Sequence, residues 1–169
     1  TSAVTTYTPS TADFTAGFIK LFLTSTGNGS CPAVSDSIRI TINPGPTVDA
    51  GPNRTVCANN PTANLAGTFS VATGVQWSGG AGIYVPNSTT AVATYTPTAA
   101  EITAGTVTLT LTTTGNGLCP AASDQMTITI QAAPTVDAGN NVSSCANNIN
   151  INLVGTTTNS TSVLWSGGG

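Results

Sequence analysis

The chain repeats itself with a fixed period of 88 residues. Cys31-Pro32 returns as Cys119-Pro120, Cys57 as Cys145, Trp77 as Trp165, and Tyr7-Thr8-Pro9 as Tyr95-Thr96-Pro97. Between residues 26–50 and 114–138, 17 of 25 positions are identical, with no insertion or deletion. A strict period means one folding unit copied in tandem, so the fold must fit this length and join head to tail with itself. The unit is longer than the common solenoid repeats and suits a small domain with its own core.

Two Pro-bearing segments mark the junctions: Asn43-Pro44-Gly45-Pro46 and Gln131-Ala132-Ala133-Pro134. Each follows an alternating apolar run and precedes Thr-Val-Asp-Ala-Gly, and proline among small residues makes a short, semi-stiff connection. On this frame residues 1–45 are the C-terminal part of one repeat. Residues 46–131 form a complete repeat, and 132–169 are the N-terminal part of a third. A partial sandwich exposes its inner face and an unpaired edge, so the chain reads as a segment of something longer. The other reading is head-to-tail complementation between copies of the chain.

Period two is clearest in Val107-Thr108-Leu109-Thr110-Leu111-Thr112 and in Met126-Thr127-Ile128-Thr129-Ile130. Val107, Leu109, Leu111, Ile128 and Ile130 fall on one face, and threonine covers the other, where its β-branched side chain favours a strand without adding charge. Gly115-Asn116-Gly117 lies between the two runs and supplies the positive φ a hairpin needs. Weaker strands are expected at 48–50 and 55–57, flanking a Gly51-Pro52 break, and at 64–66, 75–77, 83–85 and 91–95. A single helical turn is expected at 98–102. About seven short strands in such a unit predict an all-β, immunoglobulin-like sandwich, with Trp77 and Trp165 packed between its sheets. Phe18 and Phe22 become Thr106 and Thr110 one period later, which puts that side toward solvent.

Charged residues are 5% of the chain, against roughly 25% in an average soluble domain. Lys20, Arg39 and Arg54 are its only basic residues and the net charge is -3, which argues against nucleic acid as a partner. No run approaches the roughly 20 apolar residues of a membrane helix, so no membrane insertion of this segment is expected. The cysteines hold fixed places in each unit and none forms a Cys-x-x-Cys motif, which favours structural disulfides in an oxidising compartment over zinc. Cys57 with Cys119 is the only pairing contained in the complete unit. It would close a 62-residue separation, worth roughly 4 kcal/mol. Cys31 and Cys145 would then have partners outside the chain. The rival pairings are Cys31–Cys57 and Cys119–Cys145.

No histidine is present, which removes the usual near-neutral base and any Ser-His or Cys-His pair; the chain does not read as an enzyme and implies no cofactor. Asp49 and Asp137 stand at matching places beside the junctions. They are the candidate calcium ligands there, although a turn-stabilising role is the preferred reading. Asp36 and Asp124 read as turn caps at the hairpin's return. Tyr95 and Tyr7 read as packing and hydrogen-bonding groups. Tyr84 and Asn87, close to Gly79, Gly80 and Gly82, are the candidate ligand contacts.

Val-Asp-Ala-Gly-Pro-Asn at 48–53, Trp-Ser-Gly-Gly at 77–80 and Thr-Gly-Asn-Gly-x-Cys-Pro at 114–120 resemble PKD-like and immunoglobulin-like repeats. More closely, they resemble the tandem modules of giant cell-surface adhesins of gliding Bacteroidetes, of the SprB type. The Trp-Ser-Gly-Gly step departs from the usual Trp-Asp-Phe-Gly-like step of PKD domains, which marks a divergent relative. The resemblance implies an extracellular, outer-membrane-attached protein exported by type IX secretion and moved by the gliding machinery. The expected role is a structural stalk repeat whose partners are the adjacent repeats of its own chain. The alternative is a module binding surface polysaccharide or a host surface.

Overall fold

Alternating threonine and aliphatic residues produce the two longest strands, and the rest of the central unit is assembled against them. The computed structural model describes residues 3–147 and 150–167. Its elements are α1 (Thr11–Ala16), β1 (Phe18–Thr24), β2 (Ser35–Thr41), β3 (Thr47–Asp49), β4 (Arg54–Cys57), β5 (Ala63–Asn64), β6 (Thr68–Ser70) and β7 (Gly74–Ser78). There follow β8 (Ile83–Val85), β9 (Thr94–Thr96), α2 (Ala99–Ala104), β10 (Thr106–Thr114), β11 (Ser123–Gln131), β12 (Thr135–Asp137) and β13 (Thr156–Thr158).

One sheet of the central unit has the order β4-β11-β10-β7. The hairpin β10–β11 and the pair β10–β7 are antiparallel, whereas β4 runs parallel to β11 with Cys57 opposite Gln131. The other layer contains β5-β9-β8 and the pair β3-β6. β5 and β6 are parts of one bent strand: between them Leu65 and Gly67 donate their amides to the carbonyls of Ala93 at 2.8 Å and Ala91 at 3.1 Å. The result is an all-β, immunoglobulin-like sandwich of two layers.

The chain changes layers at the Gly51-Pro52 break. Before it, β3 pairs with β6; after it, β4 pairs with β11. Asp49 Oδ1 accepts the Gly51 amide at 2.7 Å, and Asp124 Oδ2 accepts the Ala50 amide at 2.8 Å across 74 residues of sequence. Asp124 therefore ties the first strand to the last and does not cap its own hairpin. Two short strands around a break were legible in the sequence. The strand β6 was not, because its Phe69 faces largely outward and no alternation announces it.

The core lies between the layers: Leu65, Val75, Trp77, Tyr95, Val107, Leu109, Leu111, Met126, Ile128 and Ile130 are all buried. Trp77 donates its indole N–H to the carbonyls of Thr90 at 3.1 Å and Ala91 at 3.2 Å, which meets its polar requirement inside an apolar layer. Gly67 permits this packing, since a Cβ there would stand 2.5 Å from Leu111 Cδ2 and 2.9 Å from the Ala91 carbonyl.

The flanking segments reproduce parts of the same unit without its core. The helices α1 and α2 both begin with a capping box, Ser10 with Asp13 and Thr98 with Glu101. Both end on a left-handed glycine, Gly17 and Gly105. The hairpin β1–β2 matches β10–β11 one period earlier. Its Leu23 and Ile38 are 68% and 62% exposed, where the equivalent Leu111 and Met126 are 0% and 1%. An open hollow of about 840 Å³, lined by Val4, Tyr7, Leu21, Leu23, Ile38 and Ile40, occupies the place of the missing layer. The expectation that Trp165 is a core residue is corrected on the same ground. It is 50% exposed because no opposing sheet covers it. Phe18 and Phe22 are exposed, and Lys20 and Arg39 lie over the Phe22 and Phe18 rings at 5.0 and 4.4 Å. Among the described residues no helix is long and apolar enough to cross a membrane.

Candidate functional site

The glycine-rich turn after β7, where the contact residues were expected, is organised by a carboxylate that the sequence did not single out. Glu101 sits at the third position of α2. Its Oε2 accepts the Thr98 amide at 2.7 Å and the Thr98 hydroxyl at 3.0 Å, completing the capping box. Its Oε1 accepts the Tyr95 hydroxyl at 2.7 Å and the Ala81 amide at 2.8 Å. Burial pushes this carboxyl up, but the backbone donors Thr98 and Ala81, then the Tyr95 and Thr98 hydroxyls, outweigh it and hold the pKa below the usual value. The only advance signal was the Thr-x-x-Glu spacing before an apolar run, and that spacing does not reveal the second oxygen's partners.

Tyr95 is fully buried. Besides donating to Glu101 it accepts the Gly82 amide at 2.8 Å, and desolvation followed by the Glu101 hydrogen bond raises its pKa. Gly80 lies at φ +68, and a Cβ there would collide with the Tyr95 hydroxyl, so the turn admits only glycine at this point. Tyr84 packs on Tyr95 with centroids 4.8 Å apart and donates its hydroxyl to the Gly79 carbonyl at 2.8 Å. Burial, then the nearby Glu101 charge, pushes the Tyr84 pKa up to about 12. Asn87 Oδ1 accepts the Thr89 amide at 3.0 Å and the hydroxyls of Thr89 and Thr90 at 2.7 and 3.0 Å. The Tyr84 hydroxyl and Asn87 Oδ1 thus serve the unit's own turns. Tyr84 and Asn87 are not brought together around a cavity. Two hollows lie on the uncovered faces of the flanking segments.

At the junctions, Asp49 and Asp137 each bond the amide two residues on, Gly51 at 2.7 Å and Gly139 at 2.8 Å. This is the turn-stabilising geometry of an aspartate at a turn. Among the described residues no group of three or more His, Cys, Asp or Glu side chains converges.

All four cysteines are unpaired, and the placement corrects the expected Cys57–Cys119 bond. Cys57 is level with Gln131 at the final residue of β11, while Cys119 lies in the loop that precedes Ser123 at the other end of that strand. Eight strand residues separate the two levels, roughly 26 Å at the usual rise, against the roughly 4.4–6.8 Å between Cα atoms that a disulfide spans. The rival pairings Cys31–Cys57 and Cys119–Cys145 join the same kinds of position, a hairpin loop with the level of a β4 end, in adjoining units, and are not brought together either. What the structure does place beside Cys119 is the junction: its Sγ lies 3.7 Å from the Pro44 carbonyl oxygen.

No protein-family model matches the chain, and no curated protein matches it. Among solved structures it is similar to that of protocadherin gamma B2 extracellular cadherin domains 1–5, at 16% identity and a TM-score of 0.39. The similarity covers 76% of this chain and 28% of that one.

Proposed function

We propose that the chain is a spacing segment of an extracellular stalk, built from repeated sandwiches of equal length in series, whose ligand-binding part lies elsewhere in the protein. The observation that carries this reading is the undisturbed 88-residue period, which conserves length and junction together. Two features support it. The Tyr84 hydroxyl, Asn87 Oδ1 and the Tyr95 hydroxyl are engaged within the unit itself. The outer faces are threonine-rich and nearly free of charge, as in Thr106, Thr108 and Thr127. The motif resemblance extends the proposal to a surface adhesin of the SprB type, attached at the outer membrane and acting in adhesion or gliding.

Small-angle scattering on chains with one, two and three added copies of residues 46–133 tests the stalk. The maximum dimension should grow by a constant step of about 30–40 Å per copy, the length of a nine-residue strand plus a linker. A dimension that stays constant or grows erratically would mean that the units fold back on one another. Specific retention on a polysaccharide array, lost on Tyr84→Ala, would instead establish the binding-module reading.

A further inference from the structure

Each complete unit carries its two cysteines at opposite poles. Cys57 marks the end of β4, beside Gln131, and the next residue, Ala58, donates its amide to the Gln131 carbonyl at 2.8 Å. Along β4 the half-buried Arg54 and Val56 alternate with the exposed Thr55 and Cys57, so the thiol points away from the core. Gln131 is the last strand residue before the second junction. At the opposite pole Cys119 leans on the first junction, with its Sγ at the Pro44 carbonyl.

The period converts these two poles into one place. Pro44 and Asn43 correspond to Ala132 and Gln131 one period later. A unit following the central one would set its own hairpin cysteine against the carbonyl of Ala132. That residue immediately follows Gln131, the strand partner of Cys57. We infer that consecutive units are joined by a disulfide between the Cys57 of one and the Cys119 equivalent of the next. No bond forms within a unit. On this pattern none of Cys31, Cys57, Cys119 and Cys145 has its partner inside the 169 residues, in keeping with four unpaired thiols.

The inference rests on the reading of the chain as an extracellular repeat array, where disulfide oxidants are available. The bond forms by exchange. One cysteine thiolate attacks a sulfur of an oxidised dithiol compound and expels one of its thiols. The second cysteine thiolate then displaces the mixed disulfide. The two cysteines lose two electrons and two protons, which end on the oxidant as two thiols.

The test uses the full chain with one further copy of residues 46–133 inserted after Ala133, and with Cys31 and Cys145 replaced by serine. Three versions differ in the cysteines they retain, the others being serine. The first keeps Cys57 of the first copy and Cys119 of the second. The second keeps Cys119 of the first copy and Cys57 of the second. The third keeps both cysteines of one copy. Each is equilibrated with oxidised and reduced glutathione, alkylated and mapped without reduction. The first should lose both free thiols and yield a single cross-linked peptide pair, while the other two stay fully alkylated. Free thiols in the first version, with the Trp77 fluorescence of both copies native, would overturn the inference. So would a bond of equal yield in the second or third. The assay needs no particular cellular location, so specific polysaccharide binding would remove the stalk reading and leave this result standing.

Discussion

Two residues show how little of this unit's stability is spread evenly. Trp77 fills the space between the layers and is 1% exposed, whereas its repeat Trp165 is 50% exposed. Trp77→Ala should destabilise the central unit by about 3–5 kcal/mol, while Trp165→Ala should change its stability by less than about 0.5 kcal/mol. Urea titration followed by circular dichroism separates the two. Glu101 is the polar counterpart. Its folded pKa lies below the ordinary value of 4.5. The stability it contributes is therefore complete above that value and is lost as pH falls through the folded pKa. Glu101→Gln should lower stability at pH 7 by on the order of 2 kcal/mol, since charge-assisted hydrogen bonds become neutral ones. Its unfolding midpoint should also fall less steeply than that of the parent as the pH drops below 4.5, where the lowered carboxyl takes up its proton. A mutant with the parent's acid slope would show that the Glu101 network does not govern this titration.

At the scale of elements, β3 is held by very few bonds, and Asp124 supplies the one that reaches across the layers to the Ala50 amide. Asp124→Ala should cost about 1.5–3 kcal/mol, the range for a hydrogen bond to a charged group, and should speed hydrogen exchange at Ala50. The equivalent Asp36→Ala should be nearly silent, because Asp36 bonds only the adjacent Ser37 amide. This contrast also marks what the sequence could disclose. The strands β7, β10 and β11 and their buried faces were legible, because alternation is a local signal set by the two-residue pleat. The helix α2 was legible as a single turn at 98–102, and it spans Ala99–Ala104. Asp124 was misread as a turn cap, and the Cys57–Cys119 bond was misplaced, for one shared reason. Both depend on β4 lying parallel to β11, a pairing between distant segments that leaves no local pattern. Separation along the chain ranked the cysteine pairs, but it is silent about which pole of a sandwich each loop occupies.

For the whole molecule, the flanking segments give a natural control for the core argument. Leu23 and Ile38 are exposed, where their equivalents Leu111 and Met126 are buried between two layers. The parallel pairing of β4 with β11 has a further consequence. The chain enters the central unit at Thr47 beside one pole and leaves at Gln131 beside the other, and β4, the second strand after entry, lies side by side with the exit strand β11. Tension along the array pulls β4 toward the first pole and β11 toward the second. The load falls along the strands, so the bonds between them must slide together and cannot open one at a time from an end. Ala58→Pro deletes the donor to Gln131 at a residue that packs on the edge of the core and belongs to none of its fully buried positions. It should lower the rupture force in single-molecule stretching much more than it lowers equilibrium stability, because forced extension reads the unfolding barrier. The short β4, only four residues long, would then be the latch of the unit: a minor part of its thermodynamics and the part that decides how hard it holds.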